Sequence, residues 1–130
     1  MALNLIIVDS CVFIKAFRKD AQARDDLKYI EGRTAYSIIT QLELLTGANT
    51  KTKKEAITEI FESYYGIPVN AEISKMAVQI MQTYVSGQQF LSVPDCLIAA
   101  TAIYTDFPLL TYNTKDFSFI KGITLFNRKK

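Results

Sequence analysis

A short apolar run near the start of the chain ends abruptly at a carboxylate. The run is Leu5-Ile6-Ile7-Val8, and Asp9 follows it directly. A run this short and this rich in branched residues is typical of a strand buried on both faces, as in a parallel sheet covered by helices. Open α/β sheets bind their ligands at the C-terminal ends of such strands. Asp9 therefore lies either in a ligand site or at the N-cap of the next helix, which is an ordinary place for an aspartate.

The rest of the chain alternates predicted helices with short predicted strands. Helices are predicted at 10–19, 20–31, 40–47, 57–64, 73–84 and 94–104, and strands or extended links at 33–39, 66–69, 109–112 and 123–126. Residues 48–52 are predicted to form a loop, residues 113–117 a turn that opens a short helical piece, and the basic tail 127–130 a frayed end. This order predicts one α/β domain over residues 1–130, with a mostly parallel sheet between layers of helices.

The composition restricts the chemistry that the chain can perform. With 49% hydrophobic and 22% charged residues among 130, the chain is expected to be globular, and its net charge of +2 predicts no broad attraction to nucleic acid or membrane. The chain has no histidine, which excludes Ser-His-Asp and Cys-His nucleophile systems and HExxH zinc sites. Cys11 and Cys96 lie in apolar stretches with no signal peptide before them, so we expect reduced thiols in a cytoplasmic protein. No apolar stretch is long enough to span a bilayer.

Four carboxylates lie in surroundings that do not suit a surface charge. They are Asp9, Glu43, Asp95 and Asp116. Taken one at a time, each has an ordinary explanation. Asp9 suits a helix cap, Asp95 complements a helix dipole after Pro94, Asp116 suits a turn, and Glu43 suits an exposed position on its helix. Taken together they all follow predicted strands or begin the helix that leads into one, so right-handed crossovers bring them to one edge of the sheet. A group of four carboxylates requires cations, and hard oxygen ligands select Mg²⁺ or Mn²⁺, which suit phosphodiester hydrolysis.

At these residues the sequence resembles the PIN-domain ribonucleases, and among them the VapC-type toxins of bacterial toxin–antitoxin pairs. The matching pieces are Val8-Asp9-Ser10, Ser37-Ile38-Ile39-Thr40 with Glu43-Leu44 and Gly47, Pro94 to Ala102, Leu110-Thr111-Tyr112-Asn113 and Asp116-Phe117. Each piece is weak alone, but the ordered set extends from about residue 5 to 126 and is fairly specific.

The resemblance implies a PIN-like three-layer fold and a Mg²⁺- or Mn²⁺-dependent endoribonuclease that cuts RNA. It implies that Asp9, Glu43, Asp95 and Asp116 are the catalytic and metal-binding residues, with Ser10, Thr111 and Asn113 as supporting polar residues. It also implies a homodimer and a cognate antitoxin that blocks the site. Tyr112 departs from the family, where many relatives carry a basic residue. The candidates for RNA phosphate contact are Lys15, Arg18, Lys19 and Lys115, all of which also suit a solvated surface.

Two other classes of function stay open. The first is a PIN-like module that binds RNA or protein without cutting. The second is phosphoryl transfer with Asp9 as the nucleophile, as in haloacid-dehalogenase-like phosphatases, but these carry a second aspartate where this chain has Cys11. A receiver-type signalling domain requires further acidic residues before the first strand ends, and the chain has none there.

Overall fold

The computed structural model describes residues 4–128 and contains four strands and six helices in that range. In chain order they are β1 (Ile6–Val8), α1 (Ser10–Phe17), α2 (Ala21–Tyr29), β2 (Thr34–Ser37), α3 (Ile38–Thr46), α4 (Lys51–Glu62), β3 (Tyr65–Ile67), α5 (Ala71–Tyr84), α6 (Val93–Thr105) and β4 (Leu109–Leu110). A single turn of 3₁₀ helix, Thr114–Asp116, follows β4.

The strands form one parallel sheet in the order β3-β2-β1-β4. β1 lies inside the sheet, with Ile7 paired to Ala35 of β2 on one side and to Leu109 of β4 on the other. All the strands therefore end at the same edge, and the predicted parallel sheet is confirmed. Because β1 has neighbours on both sides, its backbone is fully paired and its position is fixed.

Helices cover both faces of the sheet, as successive residues of β1 show. Ile7 belongs to a core with Ile73 of α5 and Ile98 of α6. Ile6 and Val8 point to the opposite face, into a core that contains Phe13 of α1 and Phe61 of α4. All are fully buried or nearly so. Side chains of a strand alternate between faces, so a fully apolar strand requires two cores, and the three-layer arrangement is confirmed.

Every helix begins at a polar residue whose side chain accepts a hydrogen bond from the first turn. These residues are Asp9, Asp20, Ser37, Thr50, Asn70 and Ser92. Such caps satisfy backbone N–H groups that have no partner inside the helix. They place each helix start directly beside the end of the preceding strand or loop.

Several details of the sequence prediction were wrong. Helix α4 begins at Lys51, inside the predicted loop 48–52, and the predicted strand 109–112 is only Leu109–Leu110. Ile38 and Ile39 belong to α3 and not to the strand, because the Ser37 hydroxyl accepts from Ile39 N at 3.1 Å and starts the helix at once. The predicted edge strand at 123–126 is reduced to a single bridge between Leu109 and Leu125. The tail is not frayed at Arg128, which is paired with Asp25 and Asp26. Residues 129–130 lie outside the described range.

The two cysteines are free thiols, with Cys11 half-buried and Cys96 buried. The expectation of unpaired thiols agrees with this structure. Between residues 4 and 128, no helix has both the length and the apolar character required to cross a membrane.

Candidate functional site

Asp9 lies immediately beyond β1, at the edge where the parallel strands end. Its backbone N–H donates to Leu110 O at 2.9 Å, so the residue stays tied to β4. Its side chain is 3% exposed, and Oδ1 accepts from Ser10 N at 2.8 Å, which caps α1. Oδ2 accepts from the Thr111 hydroxyl at 2.8 Å. Asp9 is therefore a helix cap and also a rigidly held carboxylate at the strand ends.

The segment after β4 forms one wall of this site. Thr111 is buried, and its Oγ1 accepts from Asn113 N at 3.0 Å while donating to Asp9. The Cys11 thiol lies 3.4 Å from Asp9 Oδ2 and 3.6 Å from Thr111 Oγ1, and it accepts from Tyr112 N at 3.4 Å. The structure thus places Thr111 where the sequence predicted a supporting residue. Asn113 contributes its backbone N–H, and its side chain is exposed.

Glu43 extends from α3 toward the same edge. Ser37 starts α3 directly after β2, so Glu43 comes less than two turns beyond the end of that strand. The side chain is half-buried, and its Oε1 is buried with no hydrogen-bond partner among the described residues. Burial, followed by the negative charge of Asp9, raises the pKa of Glu43, and hydrogen bonding by Ser10 opposes this. An unpaired buried carboxylate oxygen is costly unless a ligand satisfies it.

Asp95 is the third residue of α6, where its backbone N–H donates to Ser92 Oγ at 3.2 Å. The prediction that Pro94 lies in the first turn is confirmed, since the helix begins at Val93. Burial and then the charge of Asp9 raise the pKa of Asp95 to about 6, with smaller contributions from Asp116 and Glu43. A hydrogen bond from Ser92 opposes these contributions. The negative charges of the other three predicted acidic residues therefore all act on Asp95.

Asp116 ends the 3₁₀ turn that follows β4, and it is half-buried. Its backbone N–H donates to Asn113 O at 2.9 Å, which closes the turn. The local explanation, a turn residue, is correct for the backbone. The negative charge of Asp116 also contributes to the raised pKa of Asp95. This agrees with the prediction that Asp9, Glu43, Asp95 and Asp116, here called the acidic edge, lie near one another.

The donors of this edge fit a hard divalent cation. They are carboxylate oxygens, and one of them, Glu43 Oε1, is buried without a partner among the described residues. Burial, and then repulsion between the carboxylates, raises the pKa of Asp95. A cation compensates both defects. Within residues 4–128, no three Cys, Asp or Glu side chains are already arranged so that they could hold a metal ion.

The basic residues named from the sequence are all exposed. Lys15, Arg18 and Lys19 lie on or just after α1, and Lys115 lies in the 3₁₀ turn beside Asp116. The Lys15 ammonium is 5.5 Å from the centroid of the Tyr112 ring. Their contact with RNA stays a prediction.

Sequence reasoning missed two residues near the site. Cys11 was recognised only as a thiol in an apolar stretch, although its position two residues after Asp9 in the first turn of a helix places it beside that carboxylate. Asp26 was not singled out, because it lies in a strongly charged helix with no local sign of burial. Its 6% exposure depends on partners more than 80 residues away in the chain.

Comparisons with known proteins agree with this arrangement. The family model described as "PIN domain" matches residues 6–122. Ribonuclease VapC10 of Mycobacterium tuberculosis is 32% identical over 121 residues, which cover 92% of this chain and 90% of that protein. Ribonuclease VapC1 of Methanocaldococcus jannaschii is 30% identical over 126 residues, covering 95% of this chain and 88% of that protein.

Solved structures show the same fold. A toxin–antitoxin complex from Klebsiella pneumoniae contains a chain with a TM-score of 0.78 and 28% identity, covering 92% of this chain and 95% of that one. VapBC-1 from nontypeable Haemophilus influenzae gives a TM-score of 0.80 at 20% identity, with coverage of 97% and 99%.

Proposed function

The chain belongs to the PIN domain family, and we propose that it is an endoribonuclease that hydrolyses RNA phosphodiester bonds as the toxin of a toxin–antitoxin pair. The observation that carries this proposal is the group of four carboxylates at one edge of the sheet, where charge is left uncompensated at Asp95 and Glu43. The names of the relatives, ribonuclease VapC, support RNA as the substrate class.

We assign binding of Mg²⁺ or Mn²⁺ to Asp9, Glu43, Asp95 and Asp116. When bound, such an ion supplies a deprotonated water at neutral pH and compensates the charge that develops on the phosphate and the leaving oxygen. Asp9 accepts short hydrogen bonds from Ser10 N and Thr111 Oγ1, which fix its orientation. Its other two contacts are long, from Cys11 Sγ at 3.4 Å and from Ser10 Oγ at 3.5 Å. An ion would have to replace these two weak donors, because an ionised carboxylate has about four lone-pair sites.

Substrate binding is assigned to the exposed basic residues near this edge. Phosphate contacts position a nucleic acid without reading its sequence, which suits flexible side chains such as Lys15, Lys19 and Lys115. Arg18 lies on the same side, where it lines the groove that also contains Glu43. These cations also offset the repulsion between an acidic site and a polyanionic substrate.

The test is cleavage of a structured RNA by the purified chain. We expect cleavage with Mg²⁺ or Mn²⁺, none after EDTA, and a rate lower by about 100- to 1,000-fold for Asp95→Asn, since the charge is removed with little change in shape. Glu59→Gln, at an exposed position of α4, is the matched control and should cut at the parent rate.

The same experiment separates the alternatives. Cleavage that survives both EDTA and Asp95→Asn would contradict the metal mechanism. RNA binding without cleavage in either metal would instead establish a non-catalytic PIN-like module. Phosphate release from a small phosphomonoester, with no cleavage of RNA, would favour phosphoryl transfer through Asp9.

The cognate antitoxin is assigned to a groove of about 620 Å³ whose lining includes Glu43. Its floor is apolar, formed in part by Ile14, Phe17 and Ile60, and its cations are Arg18, Arg24 and Lys53. This combination fits an amphipathic segment that carries acidic side chains, and a segment bound there would cover Glu43. Ile60→Glu should weaken the complex with an antitoxin encoded beside this chain, as measured by calorimetry. An unchanged affinity of Ile60→Glu for the antitoxin would contradict the assignment of the antitoxin to this groove.

A homodimer is assigned to exposed apolar side chains that flank the acidic residues in the sequence. Leu42, Phe90 and Val93 are 53%, 83% and 65% exposed, and their burial against a second copy removes apolar surface from water. Light scattering should give the mass of a dimer for the parent chain and of a monomer for Phe90→Glu.

A cytoplasmic location is part of the same proposal, and fractionation of cells tests it.

A further inference from the structure

A fifth buried carboxylate, Asp26 of α2, lies outside the acidic edge. It is 6% exposed. The Tyr112 hydroxyl donates to its Oδ2, and Arg128 Nη1 donates to its Oδ1 at 2.8 Å. Arg128 is also 2.8 Å from Asp25 Oδ2 and lies over the Tyr29 ring, 4.2 Å from its centroid. Both oxygens of Asp26 are therefore satisfied, one of them by a residue close to the C-terminus of the chain.

Tyr112 joins this cluster to the acidic edge. Its backbone N–H donates to Cys11 Sγ at 3.4 Å, and the preceding residue, Thr111, donates to Asp9 Oδ2 at 2.8 Å. On the other side of Tyr112, Asn113 N donates to Thr111 Oγ1 at 3.0 Å. The segment 111–113 is thus held by its backbone at the site and by the Tyr112 side chain at α2.

The tyrosine is a suitable donor for this contact. Burial, followed by the hydrogen bond to Asp26, raises the pKa of the Tyr112 phenol, so the hydroxyl keeps its proton at neutral pH. The ammonium of Lys15 lies 5.5 Å from the ring centroid and restrains it further.

We propose that Asp26, Tyr112 and Arg128 form a C-terminal latch that positions Thr111 against Asp9 and thereby sets the activity of the acidic site. The catalytic part of this inference rests on the proposed nuclease function. The latch residues lie outside the reacting groups, so they are positioning residues. Without the latch, the segment 111–113 moves more freely and Asp9 loses a fixed donor. Loss of such supporting contacts commonly reduces metal affinity or activity by about 10- to 100-fold.

The experiment alters one side chain of the latch at a time and measures two properties. Tyr112→Phe deletes only the hydroxyl, and Arg128→Met removes the charge while keeping most of the side chain. Tyr84→Phe is the matched control, because it also loses one hydrogen bond, from Lys121 N at 2.9 Å, on α5 in the other core. Arg128→Lys tests rescue by a conservative change.

The first readout is amide hydrogen exchange at Tyr112 and Asn113, followed by NMR without divalent ions. The second is kcat and KM for RNA cleavage. We expect Tyr112→Phe and Arg128→Met to speed exchange at both amides and to lower kcat about tenfold with little change in KM. Arg128→Lys should restore part of the slow exchange and part of kcat, and Tyr84→Phe should change neither the exchange rates nor kcat.

Unchanged exchange at these amides would overturn the latch, whatever the activity. Faster exchange with unaltered kcat would overturn its role in positioning the site. Equal effects from Tyr84→Phe would overturn it as well, because they would show a general loss of stability. Failure of the nuclease proposal is distinguishable, since the parent chain would then cut no RNA while the exchange result still decides whether the latch holds the segment.

Discussion

The buried carboxylates of this chain occur in two opposite electrostatic states. At α2, both oxygens of Asp26 have partners and its charge is matched by Arg128. At the acidic edge, Glu43 Oε1 has no partner among the described residues, and the pKa of Asp95 is raised to about 6 by burial and by neighbouring negative charges. The Asp26 carboxylate therefore requires no further hydrogen-bond partner or counter-charge. The acidic edge carries a cost that a bound cation would remove, which distinguishes a structural carboxylate from one available to a ligand.

The difference predicts opposite signs when each carboxylate is neutralised. Removing one partner of a compensated buried pair leaves the others unsatisfied and destabilises the fold. Removing one of several repelling carboxylates relieves strain that the fold tolerates for the sake of function.

The largest effect on stability is expected at the compensated cluster. Asp26→Ala leaves the Tyr112 hydroxyl and the Arg128 guanidinium without their carboxylate, so the free energy of unfolding should fall by about 2–3 kcal/mol. Urea denaturation at pH 7.5 in EDTA measures it. Asp25→Ala is the matched control, since Asp25 is 66% exposed and bonds the same arginine, and it should cost less than about 1 kcal/mol. Equal losses would contradict the assignment of Asp26 as the central partner.

Neutralising a carboxylate of the acidic edge should stabilise the fold. Asp95→Asn removes a charge whose ionisation the fold disfavours, so at pH 7.5 in EDTA the free energy of unfolding should rise by about 1–2 kcal/mol, a value discounted for partial exposure. The same variant is expected to lose nuclease activity.

The pH dependence of that gain follows from the raised pKa. Between about 6, the pKa of Asp95 in the folded chain, and about 3.9 in the unfolded chain, the folded state binds a proton that the unfolded state does not. The parent therefore gains stability as the pH falls through this window. The advantage of Asp95→Asn should be full above pH 7 and disappear near pH 4. An advantage that is independent of pH would show that charge repulsion is not its cause.

The sequence singles out the four acidic residues at the strand ends but gives no sign of the cluster around Asp26, and the reason is physical. Asp9, Glu43, Asp95 and Asp116 each follow or begin an element whose type is evident from local pattern, and parallel topology then brings their ends together. Asp26 has no such pattern. Its burial depends on Tyr112 and Arg128, and nothing in the charged stretch around it indicates that one acidic residue points inward.

The residues at which helices and strands begin and end were also harder to predict than the presence of each helix or strand. Ile38 and Ile39 are branched apolar residues that suit a strand, but the Ser37 cap starts α3 before them. Residues 123–126 have the composition of a strand, yet only one bridge forms, since Leu109 N and O pair with Thr124 and Phe126 beside a strand only two residues long.

The smallest expected effect is the stabilisation of the fold by a divalent cation, which should depend on the acidic edge and not on the Asp26 cluster. A divalent ion that binds only the folded chain should raise the free energy of unfolding by about 1 kcal/mol at five times its dissociation constant. Glu43→Gln keeps the shape of the side chain and removes its charge, so the rise should shrink or vanish. Asp25→Asn should keep the whole rise, because it lies outside the acidic edge. Thermal unfolding of the three chains with EDTA, Mg²⁺ and Mn²⁺ measures this. An equal rise in all three chains would place the ion away from Glu43, and the uncompensated charge at this edge would then have no connection with metal binding.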